Sequence, residues 1–215
     1  MYEPCPILWV NGCLIMDDIV SQAMTKWPNV PHCYGWLGLD ARGQWWMRDD
    51  RAQALGGFGS GIAGAKGSVL RHEKLIAFIH RNYAADEAGQ WYFQNGPQRV
   101  YVELEVTPWV WHLEPDFCVL AHTEMVARVQ RCFVDELGCV YIEADLGFGL
   151  VFTQDVGLAA QAIELGLWVP QTCVRQTLAE RFGFVLSPQA QNTKESIKVL
   201  VPGAGDTAKT RNAIN

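Results

Sequence analysis

The sequence predicts an α+β protein made of repeated antiparallel β-hairpin and helix units that pack as two subdomains. Three observations support this fold class. A D-x-x-G motif recurs along the chain, helical segments lie between the recurrences, and a region dense in strand formers follows the clearest helix. Hydrophobic residues make up 49% of the chain and charged residues 19%. This composition supplies a packed core and excludes global disorder.

The D-x-x-G motif starts at Asp40, Asp86 and Asp135, and two strand formers follow each copy. An aspartate that opens a type I turn accepts hydrogen bonds from the amides ahead of it, and the glycine then takes a left-handed conformation. Each copy therefore predicts a turn that leads into a strand, and the recurrence suggests duplicated units. Three unrelated hairpins are the alternative, because this turn is common.

Alternation along the strands assigns the side chains of the first hairpin to two faces. The better core candidate is the face that carries Leu37, Leu39, Trp45 and Met47. The opposite face carries Trp36, Gly38, Trp46 and Arg48.

Four segments have the apolar spacing or composition of helices. The clearest covers 69–83, where apolar residues recur on one side and predict packing against a sheet. A helix over 17–27 should end at Pro28. An alanine-rich helix is expected over 156–167, and a weaker one over 171–182.

The strongest hairpin signal is Asn95-Gly96, which predicts a two-residue type I′ turn between strands 91–94 and 97–106. Alternation across this hairpin separates an apolar row from a polar, aromatic row. The polar row contains Tyr92, Gln94, Arg99, Tyr101 and Glu103. Further strands are expected at 109–113, 117–122 and 150–153.

These elements predict two domains and a tail. We expect an N-terminal α+β unit over 1–84 and a C-terminal α+β unit, mostly antiparallel sheet with a helix, over 85–186. Residues 187–215 are polar apart from a short strand former at 197–201, and they predict a mobile tail.

Charge and hydropathy exclude several classes of partner. The net charge is −6 and no basic run occurs, which excludes binding to polymeric nucleic acid. No apolar run approaches the length of about 20 residues that spans a bilayer, so no membrane partner is expected. The N-terminal residues lack the cationic region of a signal peptide, and a cytoplasmic location is the expectation.

The chemistry-bearing residues form no catalytic or metal-binding motif. The seven cysteines include no C-x-x-C, which argues against a disulfide framework and a thiolate zinc site. Cys132 and Cys139 fall on opposite faces of the third hairpin and should not be bonded to each other. The histidine spacing predicts no metal site, and no G-x-S-x-G occurs. We expect no cofactor, although an accidental cysteine and histidine pair stays open.

A glycine-rich segment over 55–68 contains two motifs that suggest nucleotide chemistry but lack its context. Residues 59–64 match G-x-G-x-x-G, yet charged residues precede them where the dinucleotide fingerprint requires a buried strand. Lys66 lacks the preceding glycine and the following hydroxyl of a phosphate-binding loop. A flexible insertion or lid loop is the better interpretation.

Three segments resemble a group of uncharacterised proteobacterial proteins. They are Tyr34-Gly-Trp-Leu-Gly-Leu-Asp40 followed by Gly43-Gln-Trp, His72 to Tyr83, and FQNGPQRVYVELEVTPW at 93–109. The resemblance covers about residues 27–113. It implies a duplicated α+β core, a C-terminal half similar to pleckstrin-homology domains, and a site between the halves for a nucleotide-like signal. It implies no enzymatic activity. Matching residues that could face the cleft are Arg81, Asn82, Asn95, Gln98, Arg99 and Tyr101.

The favoured hypothesis is a non-enzymatic binding or regulatory protein, with a role in signal transduction. A small anionic or nucleotide-like ligand would lie in a cleft between the subdomains. Arg99 is the expected anion anchor, because a guanidinium binds anions through paired hydrogen bonds. Tyr92 and Tyr101 would stack on the ligand, and Asn82 and Asn95 would orient it.

Three alternatives stay open. Arg99 and Glu103 could form only a solvated cross-strand link. Exposed tryptophans such as Trp36 and Trp46 could form a protein-interaction surface or a homodimer contact. An enzyme with a cysteine and histidine site is the third alternative.

Overall fold

The computed structural model describes residues 30–200 together with Gln22 and Thr25, and it describes no side chains for 195–200. Gln22 and Thr25 are helical, and the rest of the helix expected over 17–27 lies outside the described residues. The described part contains two mixed β-sheets with helices around them, which confirms the α+β class. Within this part, no helix combines the length and apolarity needed to cross a bilayer.

The first sheet has six strands in the order β3-β2-β1-β6-β5-β4. Its strands are β1 (Cys33–Leu39), β2 (Trp45–Met47), β3 (Ser68–Val69), β4 (Tyr83–Ala85), β5 (Trp91–Asn95) and β6 (Gln98–Leu104). β1 and β6 pair in parallel and the other pairs are antiparallel. This sheet crosses position 84/85, where the sequence suggested a domain boundary.

The second sheet has seven strands in the order β13-β10-β11-β12-β7-β8-β9, and one of the two sheets curls into a half-barrel. The strands of the second sheet are β7 (Trp109–Leu113), β8 (Val119–Ala121), β9 (Val126–Ala127), β10 (Val129–Val134), β11 (Val140–Ala144), β12 (Gly147–Val151) and β13 (Pro170–Thr172). Six of these strands repeat the order of the first sheet. In both sheets a parallel pair, β1 with β6 or β7 with β12, joins two antiparallel three-stranded meanders.

The helices are α1 (Asp50–Leu55), α2 (Glu73–Arg81), α3 (Val156–Glu164), α4 (Leu178–Arg181) and α5 (Pro188–Leu200). α2 and α3 confirm helices within the ranges 69–83 and 156–167, although Val69 lies in β3 and Tyr83 lies in β4. The helix expected over 171–182 is wrong for its first half, because residues up to Thr172 continue β13 and a 3-10 turn covers Arg175–Thr177. The short strand expected from 197 is also wrong, since α5 extends to Leu200.

All three D-x-x-G segments form the predicted turn, with matching hydrogen bonds. Oδ1 of each aspartate accepts from the amides two and four residues ahead, at distances of 2.8–3.0 Å. Gly43, Gly89 and Gly138 have φ of 77°, 75° and 78°. The turn between β7 and β8 has the same backbone hydrogen bonds, although Phe117 occupies the glycine position with φ of 65°.

The β5–β6 hairpin turns one residue later than predicted. Asn95 pairs with Gln98, so Gly96 and Pro97 form the turn instead of Asn95 and Gly96. The predicted turn would need a hydrogen bond from the amide of residue 97, and proline has none. Each residue of β5 pairs with a residue of β6 that is two positions later than predicted. Because side chains alternate with a period of two, every side chain stays on its predicted face.

An aromatic core joins the two sheets. The ring of Tyr83 lies 5.3 Å from Trp45 of the first sheet and 5.6 Å from Trp109 of the second. Leu37 and Leu39 are buried as predicted. Met47, expected on the same face, is 49% exposed because it ends the short strand β2.

Candidate functional site

The polar row of the β5–β6 hairpin forms a network of three side chains. The Arg99 guanidinium lies 4.5 Å from the centre of the Tyr92 ring and hydrogen-bonds to the Tyr101 hydroxyl. That hydroxyl donates to Oδ2 of Asp86 at 3.1 Å. Burial opposes the charge of Arg99, but the contacts with Tyr101, Tyr92 and Asp86 raise the pKa of the guanidinium. Arg99 is therefore a firmly charged group on an aromatic surface.

The chain itself covers most of this row. Tyr34 stacks on Tyr101 with ring centres 4.6 Å apart and planes within 5°. Tyr92 and Tyr101 are only 7% and 4% exposed. Glu103 is 1% exposed, and its carboxylate accepts hydrogen bonds from the Ser187 hydroxyl and the Gln189 amide. Stacking surfaces that the chain already occupies leave little room for a planar ligand.

The other residues suggested for this site lie elsewhere. The Arg81 guanidinium sits over Phe78 at 6.0 Å, and Phe78 contacts Phe93 on the apolar side of the hairpin. The buried Asn82 follows the last residue of α2, where Nδ2 of its side chain donates to the Phe78 carbonyl at 2.9 Å.

Two more residues suggested for this site, Asn95 and Gln98, lie at the end of the β5–β6 hairpin. Asn95 is exposed there. The side chain of Gln98 donates to the Pro31 carbonyl at 2.8 Å. The structure thus brings together Tyr92, Arg99 and Tyr101 from the predicted set.

A cavity of about 230 Å³ opens where the two sheets join. Its walls come from the connector after β6 and from the segment between β13 and α5. Most of the lining is apolar: Val106, Leu178, Ala179, Phe184 and Leu186. The polar lining residues are Glu105, Arg175 and Gln176. We call this the junction cleft.

The acidic residue of the junction cleft is already neutralised. Nζ of Lys66 lies 2.7 Å from Oε1 of Glu105, and the Ala41 amide donates to Oε2 at 2.9 Å. Burial opposes ionisation of this carboxyl, but the bonds from Lys66 and Ala41 hold the pKa of Glu105 below its usual value. Glu105 therefore stays charged and paired.

The basic residue of the junction cleft has no comparable partner. Among the described residues, no carboxylate forms an ion pair with the half-buried Arg175 guanidinium, which donates from Nη1 to Sγ of Cys139 at 3.9 Å. Sequence reasoning missed Arg175 because it placed this residue in a helix. It missed Glu105 because it placed that residue within a strand over 97–106, whereas β6 ends at Leu104.

The glycine-rich segment serves the scaffold at its two ends. The buried Arg48 donates from Nε to the Ala65 carbonyl at 2.8 Å and from its Nη atoms to the carbonyls of Gly56 and Gly35. The ring of Phe58 fills the space beside Gly38. Helix α1 precedes the segment, so the buried strand that a dinucleotide site requires is absent.

The other chemistry-bearing residues of the described part include a histidine pair, half-buried His80 and buried His122, and five free thiols that are buried or half-buried. The rings of His80 and His122 lie 5.8 Å apart inside the aromatic core, and Trp45 donates to Nε2 of His80 at 3.0 Å. No three potential metal ligands cluster within the part of the chain described. Cys132 and Cys139 are free thiols, as predicted. Burial raises the pKa of Cys132 to about 11.

Comparisons with known proteins found that the chain has distant similarity to two solved structures. It is similar to the crystal structure of a DUF1285 family protein from Silicibacter pomeroyi DSS-3, with 11% identity, TM-score 0.42, and 62% of this chain and 72% of that chain covered. It is also similar to a DUF1285 family protein from Shewanella baltica OS155, with 12% identity, TM-score 0.40, and 59% and 91% covered. No curated protein matches the sequence.

The sequence also matches a protein family over most of its length. The matched residues are 16–189, and the family is described as "Protein of unknown function (DUF2946)". Because this match spans more than half of the chain, the protein belongs to the DUF2946 family.

Proposed function

We propose that the protein is a non-catalytic binding protein, with a regulatory role, that holds a small anionic ligand in the junction cleft. The observation that carries this proposal is the position of Arg175 beside an apolar cavity at the junction of the two sheets. Ligand sites in proteins combine an apolar lining with a few polar groups that fix orientation. Arg175 would bind the anionic group, and Phe184 and Leu186 would contact the apolar body.

The size of the cavity narrows the ligand class. A volume of about 230 Å³ lies below the range of roughly 300–1,000 Å³ that drug-sized ligands occupy. This volume favours a compact carboxylate or phosphate ester over a dinucleotide. The pleckstrin-homology likeness of the C-terminal half and a nucleotide-like signal remain hypotheses within this proposal.

Two arguments favour the junction cleft over the Arg99 row. The chain fills the stacking surfaces of Tyr101 and Tyr92 with Tyr34 and Arg99. Glu103, on the same face, would repel an anion. At the junction cleft, by contrast, Lys66 pairs with Glu105. Arg175 forms no ion pair among the described residues and feels the carboxylates of Glu105 and Asp135 only at longer range.

The enzyme alternative has less support. A nucleophilic cysteine needs a lowered pKa or an adjacent base. Burial raises the pKa of Cys132, Cys139 and Cys173, which keeps these three thiols protonated at neutral pH.

Thermal denaturation with a panel of small anions tests the proposal. The panel holds inorganic phosphate, nucleoside monophosphates, and aromatic and short-chain carboxylates. A ligand at 100 times its Kd stabilises a protein by about 2.7 kcal/mol, so at least one probe should raise the Tm by several degrees. Arg175→Ala should abolish that shift, and Arg99→Ala should keep it.

The matched arginine variants separate the two sites. Loss of the shift in Arg99→Ala with retention in Arg175→Ala would move the ligand to the β5–β6 hairpin and reject the junction cleft. If no probe shifts the Tm of the unmodified protein, the proposed ligand class is wrong.

A further inference from the structure

We propose that the free edge of β13 pairs with β13 of a second copy of the protein. This pairing would join the seven-stranded sheets of the two copies into one continuous sheet. β13 ends the sheet and pairs only with β10 among the described strands. An unpaired edge presents backbone donors and acceptors that recruit another strand. The proposal rests on which of these groups β13 leaves open.

The parallel pairing with β10 fixes the directions of the backbone groups. The Cys173 amide donates to the Val134 carbonyl at 3.0 Å, so Gln171 and Cys173 face β10. The groups of Pro170, Thr172 and Val174 therefore face outward. Val174 is extended, with φ of −110° and ψ of 121°, and so continues the edge beyond the last residue of β13.

The outward-facing backbone groups of one β13 strand match those of the other when the two strands run antiparallel with Thr172 on the twofold axis. In that register the two Thr172 residues exchange both of their hydrogen bonds, and each Val174 amide faces the Pro170 carbonyl of the other copy. Pro170 lacks the amide that should reciprocate. The acceptor opposite it, the Val174 carbonyl, already accepts from the amide and hydroxyl of Thr177.

This coincidence argues for a second copy over a foreign strand. A proline on an edge strand ordinarily blocks pairing, because it removes a donor. Here the missing donor lies opposite an acceptor that is already satisfied, so the symmetric pairing leaves no unmet hydrogen bond between 170 and 174. An unrelated strand has no reason to show the same defect at the same spacing.

The side chains around the free edge of β13 also favour a second copy of the protein as the partner. Residues 165–174 contain no charged residue, so two copies meet without repulsion. Exposed apolar side chains flank the strand: Leu165, Leu167, Val169 and Val174, with Leu137 in the turn that follows β10. Val169 is 78% exposed and Leu137 is 70% exposed. Apolar area of this kind adds to a strand contact that alone falls short of the roughly 1,200 Å² of a stable interface.

Sedimentation equilibrium of the full chain at micromolar concentrations tests the pairing. The unmodified protein should be a dimer. Thr172→Pro removes the central donor without touching the bonds to β10, and it should yield a folded monomer by circular dichroism. Gln171→Ala, whose backbone faces β10, is the matched control and should stay dimeric.

A second variant reports the register even if Thr172→Pro fails to fold. In the proposed pairing the two Thr172 Cα atoms lie about 5.5 Å apart, within the range that a disulfide spans. Thr172→Cys should therefore form a covalent dimer on mild oxidation, and the unmodified protein should not.

Several results would overturn the proposal: a monomeric unmodified protein, a dimer that survives Thr172→Pro, or no crosslink in Thr172→Cys. Dissociation by Trp36→Ala would assign the contact to the exposed tryptophan instead.

Discussion

Three glycines have the same backbone conformation in the D-x-x-G turns but different surroundings. A Cβ on Gly89 would lie 2.1 Å from the Gly183 carbonyl oxygen, and a Cβ on Gly43 would lie 2.7 Å from Cβ of His122. A Cβ on Gly138 would have no neighbour within 4 Å. The positive φ of the turn therefore favours glycine at all three positions, and packing adds a second constraint at Gly43 and Gly89.

This difference gives a prediction with an internal control. Gly138→Ala should lower the free energy of unfolding by about 1 kcal/mol, the cost of a left-handed conformation. Gly89→Ala should lower it by about 3 kcal/mol or more, because the backbone of 183 must also move. Urea denaturation of both variants measures the gap. Equal losses would contradict the contact between this turn and the segment before α5.

Glu124, in the turn between β8 and β9, is a non-glycine residue with a left-handed backbone conformation. Its φ is 68° and its side chain is exposed. Glu124→Gly should raise the free energy of unfolding by up to about 1 kcal/mol, because glycine adopts this conformation without strain. Glu124→Gln removes the charge and keeps the strain, so it should not reproduce the gain. Equal changes in the free energy of unfolding for the two variants would show that the charge of Glu124, and not its backbone conformation, determines the change in stability.

At the scale of elements, turn chemistry was the most reliable signal in the sequence. The aspartate and glycine positions predicted three turns because local hydrogen bonds determine them. The equivalent turn at 114–118 escaped prediction because Phe117 takes the left-handed position that glycine usually marks. The Asn95-Gly96 turn was misplaced by one residue because Pro97 cannot supply the closing amide.

Pairing between distant strands lay beyond the sequence pattern. The parallel pairs β1–β6 and β7–β12 join segments that no local signal connects. For the same reason, the sequence identified the network of Tyr92, Arg99 and Tyr101, which share one hairpin. It did not find the junction cleft, since Glu105 and Arg175 meet only through the packing of the two sheets.

At the scale of the whole molecule, the packing of the two sheets depends on neutral histidines. Burial lowers the pKa of His80 below 6.5, and it lowers the pKa of His122 well below 6.5. Glu124 partly opposes the shift at His80, and His112 adds to the shift at His122. Both rings contact Trp45, and His122 is buried while His80 is half-buried, so a charge would be poorly solvated above all on His122.

The protein should therefore lose stability in mild acid. Below pH 6.5 the unfolded chain binds protons that the folded chain rejects, so the free energy of unfolding falls as the pH drops. Each histidine contributes a slope of up to about 1.4 kcal/mol per pH unit. Urea denaturation between pH 7.5 and 5 measures the loss. The double variant His80→Gln, His122→Gln should make the loss smaller, with His32, whose pKa burial also lowers, supplying the rest. A profile that is flat in the unmodified protein would reject the assignment.

The bonds from Ser187 and Gln189 to the buried carboxylate of Glu103 impose an order on biosynthesis. The partners of this carboxylate lie 84 and 86 residues further along the chain. A nascent polypeptide that has emerged from the ribosome only as far as the second sheet must keep Glu103 in contact with water. The outer side of the first sheet can close only after residues 187–189 have left the ribosome, so the first sheet is completed after the whole second sheet has been synthesised.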